Sequence, residues 1–168
     1  YGSGCTEGSS GQAFLQIQLQ NCFESASVHV NSDLLGAAKA CYGSTTGLIG
    51  ILGTGANTAY YDGTILHQKV PSLGYLLGDE GSGAHLGRLL LSAGLRGELS
   101  KDLVRKLKLD KDLILEKVYD GPSTNKFLAS YCPFLFRIFE ELDYYLLVCS
   151  AISATAKPQS FLPNSLMV

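Results

Sequence analysis

The sequence predicts an α/β fold, and three local patterns carry that prediction. Gly47 to Leu52 (GLIGIL) is a short unbroken apolar run of the kind that forms a buried central strand. Asn31-Ser32-Asp33 stands directly before the Ala/Leu-rich run Leu34 to Ala40, which is a helix start with capping residues in place. Leu86, Leu89 and Leu90 recur at i, i+3, i+4 behind a glycine-rich stretch, which marks an amphipathic helix.

The other elements follow in chain order. Residues 1–12 read as a glycine-rich loop, Phe14 to Phe23 as a short amphipathic helix and Ser27 to Val30 as a short strand. After the strand at Gly47 come a tight Gly53-Thr54-Gly55 turn and a second strand to Tyr61. Asp62-Gly63 is a hairpin signal, so Thr64 to Val70 is the expected return strand. Pro71 to Gly83 is a second glycine-rich loop, and Gly94 is the expected C-cap of the helix behind it. Ser100 and Asp110 are N-cap residues for two further helices, with Leu103, Leu107, Leu113, Ile114 and Val118 on their inner faces. Ser123 to Tyr145 reads as helix with a break near Pro133, and Pro158 and Pro163 limit regular structure in the last twenty residues.

Composition excludes several classes. Hydrophobic residues make up 46% and charged ones 17%, below the typical ~25% charged, so a disordered, tail-like chain is excluded. Thirteen Lys and Arg against fifteen Asp and Glu leave a net charge of −2 and no basic stripe, so neither nucleic acid nor an anionic membrane is an expected partner. No apolar stretch reaches the ~18 residues of a membrane span. Tyr1 to Gly11 lacks the basic region of a signal peptide. The five cysteines contain no C-x-x-C pair, which points to reduced thiols of a cytoplasmic protein rather than a disulfide framework or zinc site.

Three segments hold residues suited to chemistry. A Gly53-Thr54-Gly55 turn after a buried strand leaves backbone N–H groups unobstructed and adds a hydroxyl, the make-up of a phosphate cradle or of an ordinary tight hairpin. It matches neither the Walker loop nor the dinucleotide fingerprint. Asp33, at a strand-to-helix junction, suits either a plain N-cap or a general base for a hydroxyl proton. Asp79 and Glu80, in a glycine-rich loop, suit Mg²⁺ ligation, sugar hydroxyls or solvated loop acids, whereas His85 reads as a helix-surface residue.

Taken together and in order, VNSDLLGAAKA, GLIGILGTGANTAYYDG and VPSLGYLLGDEGSGAHLG resemble the N-acetylglucosamine kinase group. That group sits with the wider ATPase family of the benzoyl-CoA reductase activase, in the actin/hexokinase superfamily. The resemblance runs from Tyr1 to about Ala129 and is closest to the bacterial kinase branch. It implies incomplete ribonuclease-H-like lobes, with residues 1–46 ending the N-terminal lobe, residues 47–168 beginning the C-terminal lobe, and a hinge near Tyr42 to Gly47. It implies ATP and Mg²⁺ as cofactors, a small-molecule sugar as substrate, a cytoplasmic location and a homodimer. By resemblance, Asp33 is the base acting on the sugar 6-hydroxyl, and Gly53, Thr54 and Gly55 hold the β- and γ-phosphates. Asn57 closes that loop, and Leu73, Gly74, Tyr75 and Asp79 contact the sugar. Ala56 replaces a common Ser, and the early Asp-x-Gly-x-Thr phosphate loop has no match here. The late adenosine-binding glycine motif has only a weak echo at Cys149 to Ala154. Two other readings remain: an ATPase activase with cluster-ligating cysteines, and a homologue that binds sugar or a partner without catalysis.

Overall fold

A computed structural model describes residues 1–138, so the expected helical stretch past Ile138, Cys149 and the Pro158–Pro163 tail lie outside the described residues. The fold is mixed α/β, with a small sheet in the order β1-β2-β3 and helices before and after it. The chain forms two compact units, Tyr1–Ile51 with Asn57–Pro71, and Leu52–Ala56 with Ser72 onward.

In the first unit, α1 spans Ser10–Cys22 and is capped by Ser9, whose Oγ accepts from the Gln12 N–H. The helix therefore begins inside the stretch expected to be loop. Residues 27–30 do not form the expected strand. Their backbone groups are taken instead by glutamine amides of α1: Gln12 Nε2 donates to the Val30 carbonyl at 2.8 Å, and the Val28 N–H donates to Gln20 Oε1 at 3.3 Å. Helix α2 (Asp33–Tyr42) starts where the sequence places it, with Ser32 as N-cap.

Strand β1 (Gly47–Leu52) has the expected bounds but not the expected place. It is an edge of the sheet rather than a buried central strand, and Leu48 is 61% exposed. Strand β2 (Ala56–Tyr61) pairs antiparallel with β3 (Leu66–His67), setting Tyr60 opposite His67 and Tyr61 opposite Leu66. The return strand is short because Asp62 Oδ1 captures the Thr64 and Ile65 N–H groups, both at 2.9 Å, before a ladder can form. Leu34 and Ala38 of α2 pack with Ile49, Ala59 and Tyr61 to form this unit's core.

In the second unit a short α3 (Gly74–Leu77) precedes α4 (Gly83–Leu95). Then come α5 (Lys101–Lys106), α6 (Lys111–Tyr119), α7 (Thr124–Ala129) and α8 (Cys132–Ile138). Helix α4 is the hub. Leu86, Leu90 and Ala93 meet Leu99, Leu103, Leu107 and Leu135 on one side. Ala84 and Leu91 meet Ile114 and Leu128 on the other. Gly87 permits this, since a Cβ there would collide with the Leu128 carbonyl of α7.

Ser100 and Asp110 cap α5 and α6 as expected. Gly94 does not cap α4: it lies within the helix against the Leu109 side chain, and Gly97 takes the left-handed turn at φ 75°. Leu113 is exposed while its neighbour Ile114 is buried, so α6 turns one apolar face inward rather than both. The expected break falls at Ser130-Tyr131, leaving Pro133 in the first turn of α8, where its missing N–H costs nothing. No helix among the described residues is long and apolar enough to cross a membrane.

Candidate functional site

The Gly53-Thr54-Gly55 turn lies in the second unit, docked on the start of α4. The Gly83 N–H donates to the Gly53 carbonyl at 2.8 Å, and the Ala84 N–H donates to the Thr54 carbonyl at 3.1 Å. The fully buried Ser82 accepts from the His85 N–H through Oγ at 3.1 Å. Three leading N–H groups of α4 are thus satisfied from within the unit, so the positive end of its dipole stabilises the turn itself. Because the carbonyls of the turn face the helix, its donors face away. The N–H groups of Thr54 and Gly55 make no hydrogen bond among the described residues. The Gly53 N–H is used internally, donating to the Gly55 carbonyl at 2.8 Å. Beside the turn is a cleft of about 390 Å³ lined by Gly53, Thr54, Gly83, Ala129, Cys132 and Pro133.

Asp79 is brought to the same turn. A Cβ on Gly55 would lie 2.7 Å from Asp79 Oδ2, so glycine at position 55 is what lets that carboxylate approach. Asp79 itself has φ 56°, a left-handed conformation that an L residue adopts at a cost. Local bonds hold it there: the Ser82 N–H donates to the Asp79 carbonyl at 3.0 Å, and the Gly81 N–H donates to His85 Nδ1 at 2.9 Å. His85 is therefore a loop anchor rather than a plain surface residue, with its proton on Nε2. Burial, helped by the positive charge of Arg88, holds its pKa below the ordinary value against the opposing Glu80.

Leu73, Gly74 and Tyr75 open α3. Leu73 is half exposed, Gly74 supplies the positive φ of 71°, and Tyr75 packs on the Ala84–Leu91–Ile114–Leu128 cluster.

Asp33 and Asn57 belong to the first unit. Ser32 Oγ caps α2 by accepting from the Leu35 N–H at 3.2 Å, so Asp33 is not needed as the cap. Asp33 Oδ1 accepts only from the adjacent Leu34 N–H at 2.9 Å, and Oδ2 accepts nothing among the described residues. Its carboxylate is half-buried beside a helix N-terminus and largely uncommitted. Asn57 Oδ1 accepts from the Thr58 N–H at 2.9 Å and from Gln68 Nε2 at 2.6 Å, which ties β2 to the segment after β3.

Sequence reasoning missed Ser82, the docking of Gly83 and Ala84, and the lining residues Ala129, Cys132 and Pro133. Only Ser82 left a readable signal, a serine directly before a helical leucine pattern. Among the described residues no three His, Cys, Asp or Glu side chains gather as a metal site. Cys5 is buried, Cys132 is half-buried, Cys22 and Cys41 are exposed, and all four are free thiols.

No family model matches the chain. None of the curated proteins is similar to it. Among solved structures it is similar to a crystal structure from Porphyromonas gingivalis of a protein provisionally named N-acetylglucosamine kinase. The TM-score is 0.83 and the identity 36% over 92% of this chain. The two share a fold. The chain spans 56% of the length of that Porphyromonas protein, so the shared fold is that of its matching portion.

Proposed function

We propose that this chain carries the phosphate-holding and sugar-holding parts of an ATP-dependent sugar kinase. Its reaction is transfer of a phosphoryl group to the 6-hydroxyl of an amino sugar, N-acetylglucosamine. The observation that supports this most is the docked turn, whose Thr54 and Gly55 N–H groups and Thr54 hydroxyl are free to receive phosphate oxygens. Glycine at position 53 suits close approach, since a Cβ there would meet nothing nearer than the Gly55 carbonyl at 4.0 Å. The likeness to the Porphyromonas protein points the same way.

The residues divide the work as follows. The Thr54 and Gly55 donors are fixed by the α4 N-terminus before any ligand arrives, so little reorganisation is needed as charge develops. Asp33 takes the hydroxyl proton through its uncommitted Oδ2. Asp79, held at the turn by Gly81, Ser82 and His85, accepts from sugar hydroxyls, and Leu73-Gly74-Tyr75 shapes that side of the site. A Mg²⁺ ion bound with the nucleotide would supply charge neutralisation at the phosphates beside Thr54 and Gly55. Ribonuclease-H-like lobes that close over substrate, a cytoplasmic location and a homodimer belong to the same proposal.

The test is to incubate the chain, and any longer protein that contains it, with ATP, Mg²⁺ and N-acetylglucosamine, following ADP and phosphorylated sugar together. Equimolar release of both is the expected result. ATP hydrolysis indifferent to sugar would transfer the reading to an ATPase activase. Sugar binding without turnover in every form would leave a non-catalytic homologue.

A further inference from the structure

Asn57 is the second residue of β2 and stands two residues on from Gly55 in the chain. An amide side chain has one end that accepts and one that donates, and the two ends are alike in shape, so the neighbours decide which end faces where. Here backbone groups decide it. The Thr58 N–H only donates, so the end of Asn57 that faces it at 2.9 Å is Oδ1. The Thr58 carbonyl only accepts, so the end of Gln68 that faces it at 3.0 Å is Nε2. The same Nε2 donates to Asn57 Oδ1 at 2.6 Å. Both lone pairs of Asn57 Oδ1 are therefore taken, and both amide polarities are fixed by atoms that cannot reverse roles.

Gln68 is exposed, and its neighbour is what seats it. His67 pairs with Tyr60 between β3 and β2, its Nε2 meets Asp62 Oδ2 at 2.6 Å, and its ring centre lies 6.1 Å from that of Tyr60. These three ties on His67 bring the adjoining Gln68 to Asn57 and Thr58. The two-residue strand β3 thus carries the register of the Asp62 turn to the amide that holds Asn57.

We propose that Gln68 is a positioning residue that fixes Asn57 as a donor, so that Asn57 Nδ2 meets a ligand oxygen acting as acceptor. With Oδ1 held by two donors, a ligand group that must itself donate finds nothing at Asn57 to receive it. A phosphate oxygen fits best, because a charged acceptor makes the bond roughly twice as strong as a neutral one. The carbonyl oxygen of an acetamido sugar offers the same polarity. Only the identity of the ligand rests on the kinase reading; the polarity of Asn57 does not.

Two variants of the ¹⁵N-labelled chain test this. Gln68→Met keeps a side chain of similar length without a donor, and Gln68→Lys keeps a donor. Without ligand, the Asn57 side-chain amide should be ordered in the unmodified chain and in Gln68→Lys, and its order parameter should fall below about 0.6 in Gln68→Met. Unchanged backbone resonances of Ala38 and Ala59, in the core of this unit, are the control for intact folding. The unmodified chain is then titrated separately with ATP and Mg²⁺ and with N-acetylglucosamine. A shift of the Asn57 side-chain amide with nucleotide assigns a phosphate oxygen, and a shift with sugar alone assigns the sugar carbonyl. Whichever ligand causes the shift should bind roughly tenfold more weakly to Gln68→Met, the scale of one hydrogen bond to a ligand. Equal order in all three proteins would overturn the proposal, as would binding of both ligands with the Asn57 side chain still. If neither ligand shifts any resonance the kinase reading fails, while order lost in Gln68→Met and kept in Gln68→Lys still upholds the positioning of Asn57.

Discussion

Helices α1 and α4 have the same length, 13 residues, and opposite fates. Helix α4 buries six residues, sits between two clusters of leucines and receives a loop on its N-terminus. Helix α1 buries none and is tethered by glutamines. Their patterns differ as their packing does: the leucines of α4 recur at i, i+3, i+4 and meet two clusters, whereas the apolar residues of α1 spread around much of the helix. The site follows the packing, since the Gly53-Thr54-Gly55 turn gains its geometry from the better-anchored helix. The two regions should therefore differ in how much a substitution matters.

The largest effect is expected at a residue whose role is chemical rather than structural. Asp33→Asn should lower phosphoryl transfer by about 10²- to 10⁴-fold, the usual span for a lost general base, while sugar binding stays measurable by calorimetry. Substantial turnover by that variant would remove Asp33 from the role. Ser32 remains as the cap of α2, so the melting temperature should barely change.

Next come the two helices themselves. Leu90, 2% exposed in the centre of α4, should cost roughly 2–5 kcal/mol when truncated to Ala. Ile17→Ala on α1 should stay within about 0.5 kcal/mol in the free chain. Chemical denaturation of both variants tests the contrast, and equal costs would mean that α1 is packed after all.

Smaller effects should separate the units by pH. In the second unit His85 is held neutral, with its pKa lowered by burial, so its unfolded form binds more protons than its folded form as pH falls below 6.5. The support from Gly81 to Nδ1 is complete above that value and fades below it. In the first unit Asp62 is held ionised far below the ordinary 3.8, chiefly by its hydrogen bond to His67 and then by the Ile65 and Thr64 N–H groups. Its support is complete above 3.8 and is lost only at lower pH. On acidification, protection of the Gly81 amide, taken relative to its intrinsic exchange rate at each pH, should fall first and that of Thr64 and Ile65 only at lower pH. His85→Asn, which keeps an acceptor without titrating near neutrality, should flatten the first fall alone.

Much of this organisation was legible because it is local. Ser32, Ser100 and Asp110 announce helix starts within three residues of the bonds they make. The bounds of β1 follow from its unbroken apolar run. What was not legible depends on distant partners. Residues 27–30 have strand-like composition, yet glutamines 8 to 18 residues away claim their backbone. The hairpin after Asp62 is shortened by a carboxylate that outcompetes the ladder. In the site, the glycines of the turn were visible, but their docking on Gly83 and Ala84 joins segments about thirty residues apart and leaves no periodic trace. The anchoring role of His85 on the helix surface leaves no trace for the same reason, since its bond to Gly81 exists only once the loop has folded back.

In the proposed kinase the turn, rather than the N-terminus of α4, meets the phosphates. Titrating the ¹⁵N-labelled protein with ATP and Mg²⁺ while following backbone amides tests it directly. The expected result is that the largest shifts fall on Thr54 and Gly55, with Gly83, Ala84 and His85 nearly still because their N–H groups are already bonded. Shifts concentrated at Gly83 to His85, or no shift at Thr54 and Gly55 at saturating nucleotide, would contradict it.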